Sequence, residues 1–198
     1  MNPFTKIYTL ISTDRLCNLI KYSVFTEAVQ GDIAEFGVYK GGSLEVLAKY
    51  NPTSKIYGID SFEGLPDPSE KDVHKKGDFG DVSFEHIEAY FKSHYWNVEL
   101  HKGFSPNVFE KIKDKLFKFV HIDVDLYSSV TDGLTFFVPR MTEGGIIILD
   151  DYKKFESTPG CELAINDFFA ATEVKHRQEL TYFTYENSEH HGQYLIQR

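Results

Sequence analysis

The chain has 198 residues, 41% of them hydrophobic and 15% aromatic, enough for one well-buried core and a single domain spanning 1–198. Its formal net charge of -9, with no cluster of Lys and Arg, repels polyphosphates and argues against nucleic acid as a partner. Cys17 and Cys161 stand in no metal-ligand spacing, and no apolar run approaches the roughly 20 residues of a bilayer span. The first residues also lack the apolar core of a secretory leader, so a reduced, cytoplasmic setting without membrane contact is expected.

Thr13 and Asp14 mark a helix start. Leu16, Leu19, Ile20, Val24 and Phe25 then recur at helical spacing in "RLCNLIKYSVFTEAV", so 1–30 reads as an N-terminal helical segment. Tyr22 and Phe25 on it are expected in the core or on a self-association surface of a homo-oligomer. The period then changes. "DIAEFGV" (32–38) reads as a strand closed by "KGGS", "SLEVLAKY" resumes helical spacing, and "KIYGID" (55–60) is a second strand. "SFEGLPDPSEKDVHKKGDFGDVS" is dense in charge, Gly and Pro and reads as one long loop. Its part 63–83 is expected over a functional site, the usual role of such loops in compact domains. Beyond it the pattern predicts a helix ("FEHIEAYFKSHY"), a strand ("NVELHKG"), a helix ("SPNVFEKIKDKL") and a strand ("FKFVHID"). A helix ("SSVTDGLTFFVPRM"), a strand in "GGIIILDDY" and a helix near 161–172 come next. "LTYFTYENSEHHGQYLIQR" reads as two strands joined by a polar turn. Strands alternating with helices at this pitch predict an α/β fold, a doubly wound, mostly parallel sheet that binds ligands outside the carboxyl ends of its strands.

The residues at those ends carry the chemistry. In "EFGVYKGGS", Gly37, Gly41 and Gly42 allow a close backbone approach at a helix N-terminus. Their spacing departs from G-x-G-x-x-G, and Glu35 before them would repel a pyrophosphate while favouring a cationic ligand. Asp60, about 20 residues on, stands where a carboxylate accepts hydrogen bonds from a ribose, or else opens a turn. "HIDVDLYSS" supplies Asp123 and Asp125, and "GGIIILDDY" supplies Asp150 and Asp151. Adjacent strands lie about 4.8 Å apart, so neighbouring placement would bring these acids to one point. There they repel unless a hard cation such as Mg²⁺ joins them. Otherwise one pair caps the next helix and the other is solvated. His121 shares the parity of Asp123 and points either to the site or into the packing layer. His190 and His191 fall in the terminal turn, solvated or touching a substrate.

In this order and at nearly this spacing, "GDIAEFGVYKGGS", "GIDSFEGLP", "FVHIDVDLYSSVTDGL" and "EGGIIILDDY" resemble the macrocin O-methyltransferase (TylF-like) family, with "GCELAINDFF" as the helix after the acidic pair. The likeness runs from about Gly31 to the C-terminus. It implies a Rossmann-like class I methyltransferase whose seven-stranded sheet ends in an antiparallel strand. Such enzymes use S-adenosylmethionine, in several cases with a metal, on sugar hydroxyls of natural products. By this resemblance Glu35, Gly37 and the turn through Tyr39, Gly41 and Ser43 hold the methionine part of the cofactor, and Asp60 holds the ribose. Ser61 and Phe62 would flank the nucleoside, and Gly103 and Phe104 the adenine side. Asp123, Asp150 and Asp151 are the implied metal ligands, Asp123 also bordering the cofactor. Tyr39-Lys40 stands where the family commonly has Trp-Arg, Val124 where Gly is usual, and the portion before the first strand is shorter than in many members.

The chemistry fits these residues. Methyl transfer from a sulfonium favours an acidic pocket. A divalent cation that binds a hydroxyl together with its neighbour lowers the hydroxyl pKa and fixes its approach. A base then takes the proton, Asp125 first and His121 or a turn His next. The expected function is therefore a metal-dependent O-methyltransferase acting on a small molecule, a sugar with adjacent hydroxyls. The alternatives are a catechol or another small polyol as acceptor, and a non-catalytic methyltransferase-like binding protein. A phosphoacceptor receiver domain is set aside because its acidic pair follows the first strand, whereas only 47 residues follow Asp151. The glycine spacing disfavours an NAD-linked oxidoreductase.

Overall fold

The computed structural model describes residues 4–152, 159–172, 176–183 and 190–198, with the backbone alone for 176–183, 190 and 191. Helix α1 (Thr13–Phe25) is capped by Ser12, whose side chain accepts from the Arg15 amide. Strand β1 (Asp32–Phe36), α2 (Gly42–Tyr50), β2 (Ile56–Asp60), α3 (Phe84–His94) and β3 (Val98–Lys102) follow. The second half holds β4 (Phe117–Ile122), α4 (Tyr127–Phe137), β5 (Met141–Tyr152), α5 (Pro159–Ala171), β6 (His176–Phe183) and β7 (His190–Gln197). The seven strands form one sheet in the order β3-β2-β1-β4-β5-β7-β6. β1 to β5 pair in parallel, while β7 runs antiparallel to both β5 and β6. The strand order reverses between β1 and β4, the place where ligands bind in doubly wound sheets.

Burial on both faces explains why the strands read as nearly continuous apolar runs. Ala34, Phe36, Val120, Ile122, Ile147 and Leu149 pack on one face with Val130, Leu134 and Phe137 of α4 and Ile165 and Phe169 of α5. Ile33, Ile56, Phe119, Ile146, Ile148 and Leu195 pack on the other with Leu16 and Leu19 of α1, Val46 and Leu47 of α2, and Phe91 of α3. Among the described residues no helix is long and apolar enough to cross a membrane.

Three expectations about elements change. The helix expected over "SPNVFEKIKDKL" is only a 3-10 stretch, Asn107–Ile112. The link must carry the chain from edge strand β3 across β2 and β1 to β4, so little length remains for coiling, although Val108, Phe109 and Ile112 still bury themselves. α4 stops at Phe137, and Pro139 lies in a short 3-10 turn rather than in the helix. β5 starts at Met141, before the glycines that open "GGIIILDDY". The polar turn expected between β6 and β7 lies outside the described residues, as do the side chains of His190 and His191. On α1, Tyr22 is half-buried and Phe25 is exposed.

Candidate active site

The carboxyl ends of β1 and β4 are joined to each other. The Asp123 amide donates to the Phe36 carbonyl at 2.8 Å, and the Gly37 amide donates to the Ile59 carbonyl of β2 at 2.9 Å. Gly37 has φ +100°, and a Cβ there would stand 1.8 Å from the Asp123 carbonyl oxygen. Only glycine lets the turn pass so close to β4. Asp60, at the end of β2, shapes the same turn: its carboxylate accepts the Val38 and Tyr39 amides at 2.8 Å each and the Phe62 amide at 2.7 Å.

Above these ends lies a cleft open to solvent. Gly37, Tyr39, Ser43, Asp60, Ser61, Gly103, Phe104, Asp123, Asp125 and Asp151 line it. The loop 61–83 contributes Gly64, Leu65, Pro66 and Phe79 to its wall, and Asp72 of that loop accepts the Tyr127 amide at the start of α4 at 2.8 Å. Residues Tyr8 to Ile11 form another wall. They are drawn in by Glu45, whose carboxylate accepts the Lys6 and Ile7 amides and the Thr5, Tyr90 and Tyr95 hydroxyls. Gly42 is small enough for this strap to lie on α2, since a Cβ there would meet the Tyr8 carbonyl at 2.6 Å.

The remaining expected residues are elsewhere. Gly41 packs against Phe91, and Phe62 turns into the core, its ring 5.0 Å from Phe84. Glu35, His121 and Asp150 lie under the cleft floor, with side chains fully out of solvent. Strand alternation puts Glu35, His121, Asp150 and Gln193 on the α1 face of four successive strands, β1, β4, β5 and β7. His121 Nδ1 is 2.8 Å from Glu35 Oε1, and its Nε2 is 3.2 Å from Asp150 Oδ2. Gln193 Nε2 donates to Asp150 Oδ1, and Asn18 of α1 donates to Gln193 at 2.8 Å. Burial alone would lower the His121 pKa, but the two carboxylates outweigh it and push the imidazole up to about 10. Both ring nitrogens therefore carry protons at neutral pH. Burial pushes Glu35 upward, while Arg15 and His121 overcome burial to hold Asp150 well below the usual carboxylate range.

Arg15, which stands in none of the sequence motifs, completes the set. It enters from the first turn of α1, with Nη1 3.3 Å from Asp150 Oδ2 and 3.2 Å from Asp151 Oδ1. A signal existed: Arg15 and Asn18 fall within the buried stripe that Leu16 and Leu19 define, where a polar side chain needs a partner. Four carboxylates, Glu35, Asp123, Asp150 and Asp151, face two cations here, Arg15 and His121. Two negative charges remain when all are ionised. The strain falls on Asp123, which burial, Asp150 and Asp151 push up to about 7. Asp123 also belongs to two clusters whose ligand atoms lie within 4.8 Å of one another, one with His121 and Asp150 and one with Asp125 and Asp151.

A glycine-shaped turn, an acid at the end of β2 and paired acids at the ends of β4 and β5 now meet at the switch point, and known proteins share the pattern. The profile of the Macrocin-O-methyltransferase (TylF) family matches residues 3–181. The chain belongs to the macrocin O-methyltransferase (TylF) family. It is 32% identical over 184 residues to the 8-demethyl-8-(2,3-dimethoxy-alpha-L-rhamnosyl)-tetracenomycin-C 4'-O-methyltransferase of Streptomyces olivaceus, covering 81% of this chain and 67% of that one. It is 27% identical to the mycinamicin III 3''-O-methyltransferase of Micromonospora griseorubida, covering 83% and 71%. The structure of the O-methyltransferase NovP shares the fold, with a TM-score of 0.71, 24% identity, and 96% and 81% coverage. This TylF-family chain is thus an S-adenosylmethionine-dependent O-methyltransferase of a small-molecule hydroxyl. The cleft at this switch point, with Gly37 and Asp60 in its lining, is where the cofactor of such a fold would sit.

Proposed function

We propose that this TylF-family enzyme methylates a hydroxyl of a sugar carried on a small molecule, with a divalent cation held by Asp123, Asp150 and Asp151. The observation that supports the cation is geometric: Asp123 offers a ligand atom within 4.8 Å of those of Asp150 in one cluster and of Asp125 and Asp151 in another, an oxygen-rich donor set suited to a hard ion. His121 is a poor ligand, since both of its nitrogens are engaged. The sugar is suggested by the relatives, one named for the 4'-hydroxyl of a rhamnosyl compound.

Bound S-adenosylmethionine supplies an electrophilic methyl group, and a divalent cation supplies charge that acidifies a hydroxyl. The chain's own residues do the rest. Gly37 and the turn held by Asp60 shape the cofactor's seat. Asp125, which faces the cleft two residues before α4, accepts the hydroxyl proton at its carboxylate. His121, buried and charged, holds Glu35 and Asp150 in place instead of acting as the base. The strap Tyr8–Ile11 and loop residues Leu65, Pro66 and Phe79 limit water at the reacting oxygen.

The test is transfer of a labelled methyl group from S-adenosylmethionine to methyl α-L-rhamnoside and, separately, to catechol, with Mg²⁺ or with EDTA. Glycoside methylation that disappears in EDTA, and falls by about a hundredfold or more in Asp125→Asn, is expected. Undiminished transfer in EDTA, or transfer to catechol alone, would refute the reading.

A further inference from the structure

Arg15 sits where a metal-binding site should have no cation. Its Nη1 lies between carboxylates of Asp150 and Asp151, at 3.3 and 3.2 Å, and its side chain is 5% exposed yet borders the cleft. Nε is buried and has no hydrogen-bond partner among the described residues. A guanidinium placed only to stabilise the fold would be expected to use its fork, two parallel N–H bonds to one carboxylate. Here a single nitrogen is shared between two carboxylates, as a point charge would be.

We propose that Arg15 is a positioning residue that competes with the divalent cation: its guanidinium is the resident positive charge between Asp150 and Asp151, and cation binding takes those oxygens from it. This rests on the metal reading above. In the cation-free enzyme Arg15 balances part of the negative charge that Asp123, Asp150 and Asp151 bring together.

The experiment is calorimetric titration of Mg²⁺ into wild type, Arg15→Lys and Arg15→Met, with S-adenosylmethionine titrated into each as a check on folding. Lys keeps the charge, but its shorter side chain holds that charge farther from the two acids than Nη1 of Arg15. Mg²⁺ affinity should rise in the order wild type, Arg15→Lys, Arg15→Met. The last step should reach about tenfold or more over wild type, the scale of removing one unit charge a few ångström from the ion. If Arg15→Met does not fold, Arg15→Lys must still bind Mg²⁺ more tightly than wild type. Equal or weaker Mg²⁺ binding in a folded variant overturns the role of Arg15 while leaving the metal reading intact. If neither wild type nor the variants bind Mg²⁺, the metal reading fails and this inference fails with it.

Discussion

Replacing His121 by Phe tests the polar row under the cleft. The ring volume is kept, but Glu35 loses its bond at 2.8 Å and Asp150 loses one of its donors. Removing one partner from a fully buried ion pair costs about 3–5 kcal/mol. Glu35, already pushed upward by burial, escapes part of this by taking up a proton, so the lower end applies, about 3 kcal/mol. For a domain of this size that lowers the melting temperature by about 6–12 °C at pH 7. The pH dependence has a definite sign. The imidazole rises from its ordinary 6.5 to about 10 on folding, so its contribution is complete below about pH 6.5 and is lost as the pH rises through about 10. Calorimetric melts of wild type and His121→Phe should therefore differ most at about pH 6.5 and below, remain well separated at pH 7 and converge towards pH 10. A difference under about 2 °C at pH 7, or one that persists undiminished at pH 10, would show that His121 is not a charged link between the two acids.

Two further outcomes follow from the same geometry. Gly37→Ala would drive a Cβ to 1.8 Å from the Asp123 carbonyl, so S-adenosylmethionine affinity should fall by about tenfold or more in calorimetry; an unchanged affinity would mean that this turn does not seat the cofactor. Asp123, ordinarily near 3.8, rises to about 7 on folding, so the cation-free enzyme should lose stability between about pH 4 and 7 and change little from this group above that. Urea titrations in EDTA at pH 5 and 8 should show a larger loss in wild type than in Asp123→Asn, and Mg²⁺ should reduce the loss in wild type. Equal losses in the two proteins would contradict the crowding of Asp123 by Asp150 and Asp151.

The strand ends were legible because each is a local pattern. Apolar residues that run into "GVYKGGS", "GID", "HIDVD" and "ILDDY" state where a buried strand meets the ligand edge, and β1, β2, β4 and β5 end there. The orientation of each acid was less legible. Asp150 keeps the strand's alternation and turns to the α1 face beside His121, whereas Asp151, with φ +64°, leaves that alternation and lines the cleft. Adjacent in sequence and identical in type, the two acquire different surroundings from one change of backbone conformation. Glu35 and His121 illustrate the same limit. Their alternation in the strands was readable, but their mutual bond depends on the register that sets Glu35 opposite His121 in β1 and β4.

By itself the sequence determined the alternation of strands and helices, the glycine turn and the acids at the sheet's edge, because hydrophobic period and turn chemistry act over a few residues. Which cation each acid meets was decided only in the tertiary structure. Arg15 and Asp151 are 136 residues apart along the chain, and nothing local links them. They meet because α1 must bury Leu16 and Leu19 against the sheet, and that packing carries Arg15 and Asn18, on the same stripe, over the polar row that Glu35, His121, Asp150 and Gln193 form on that otherwise apolar face.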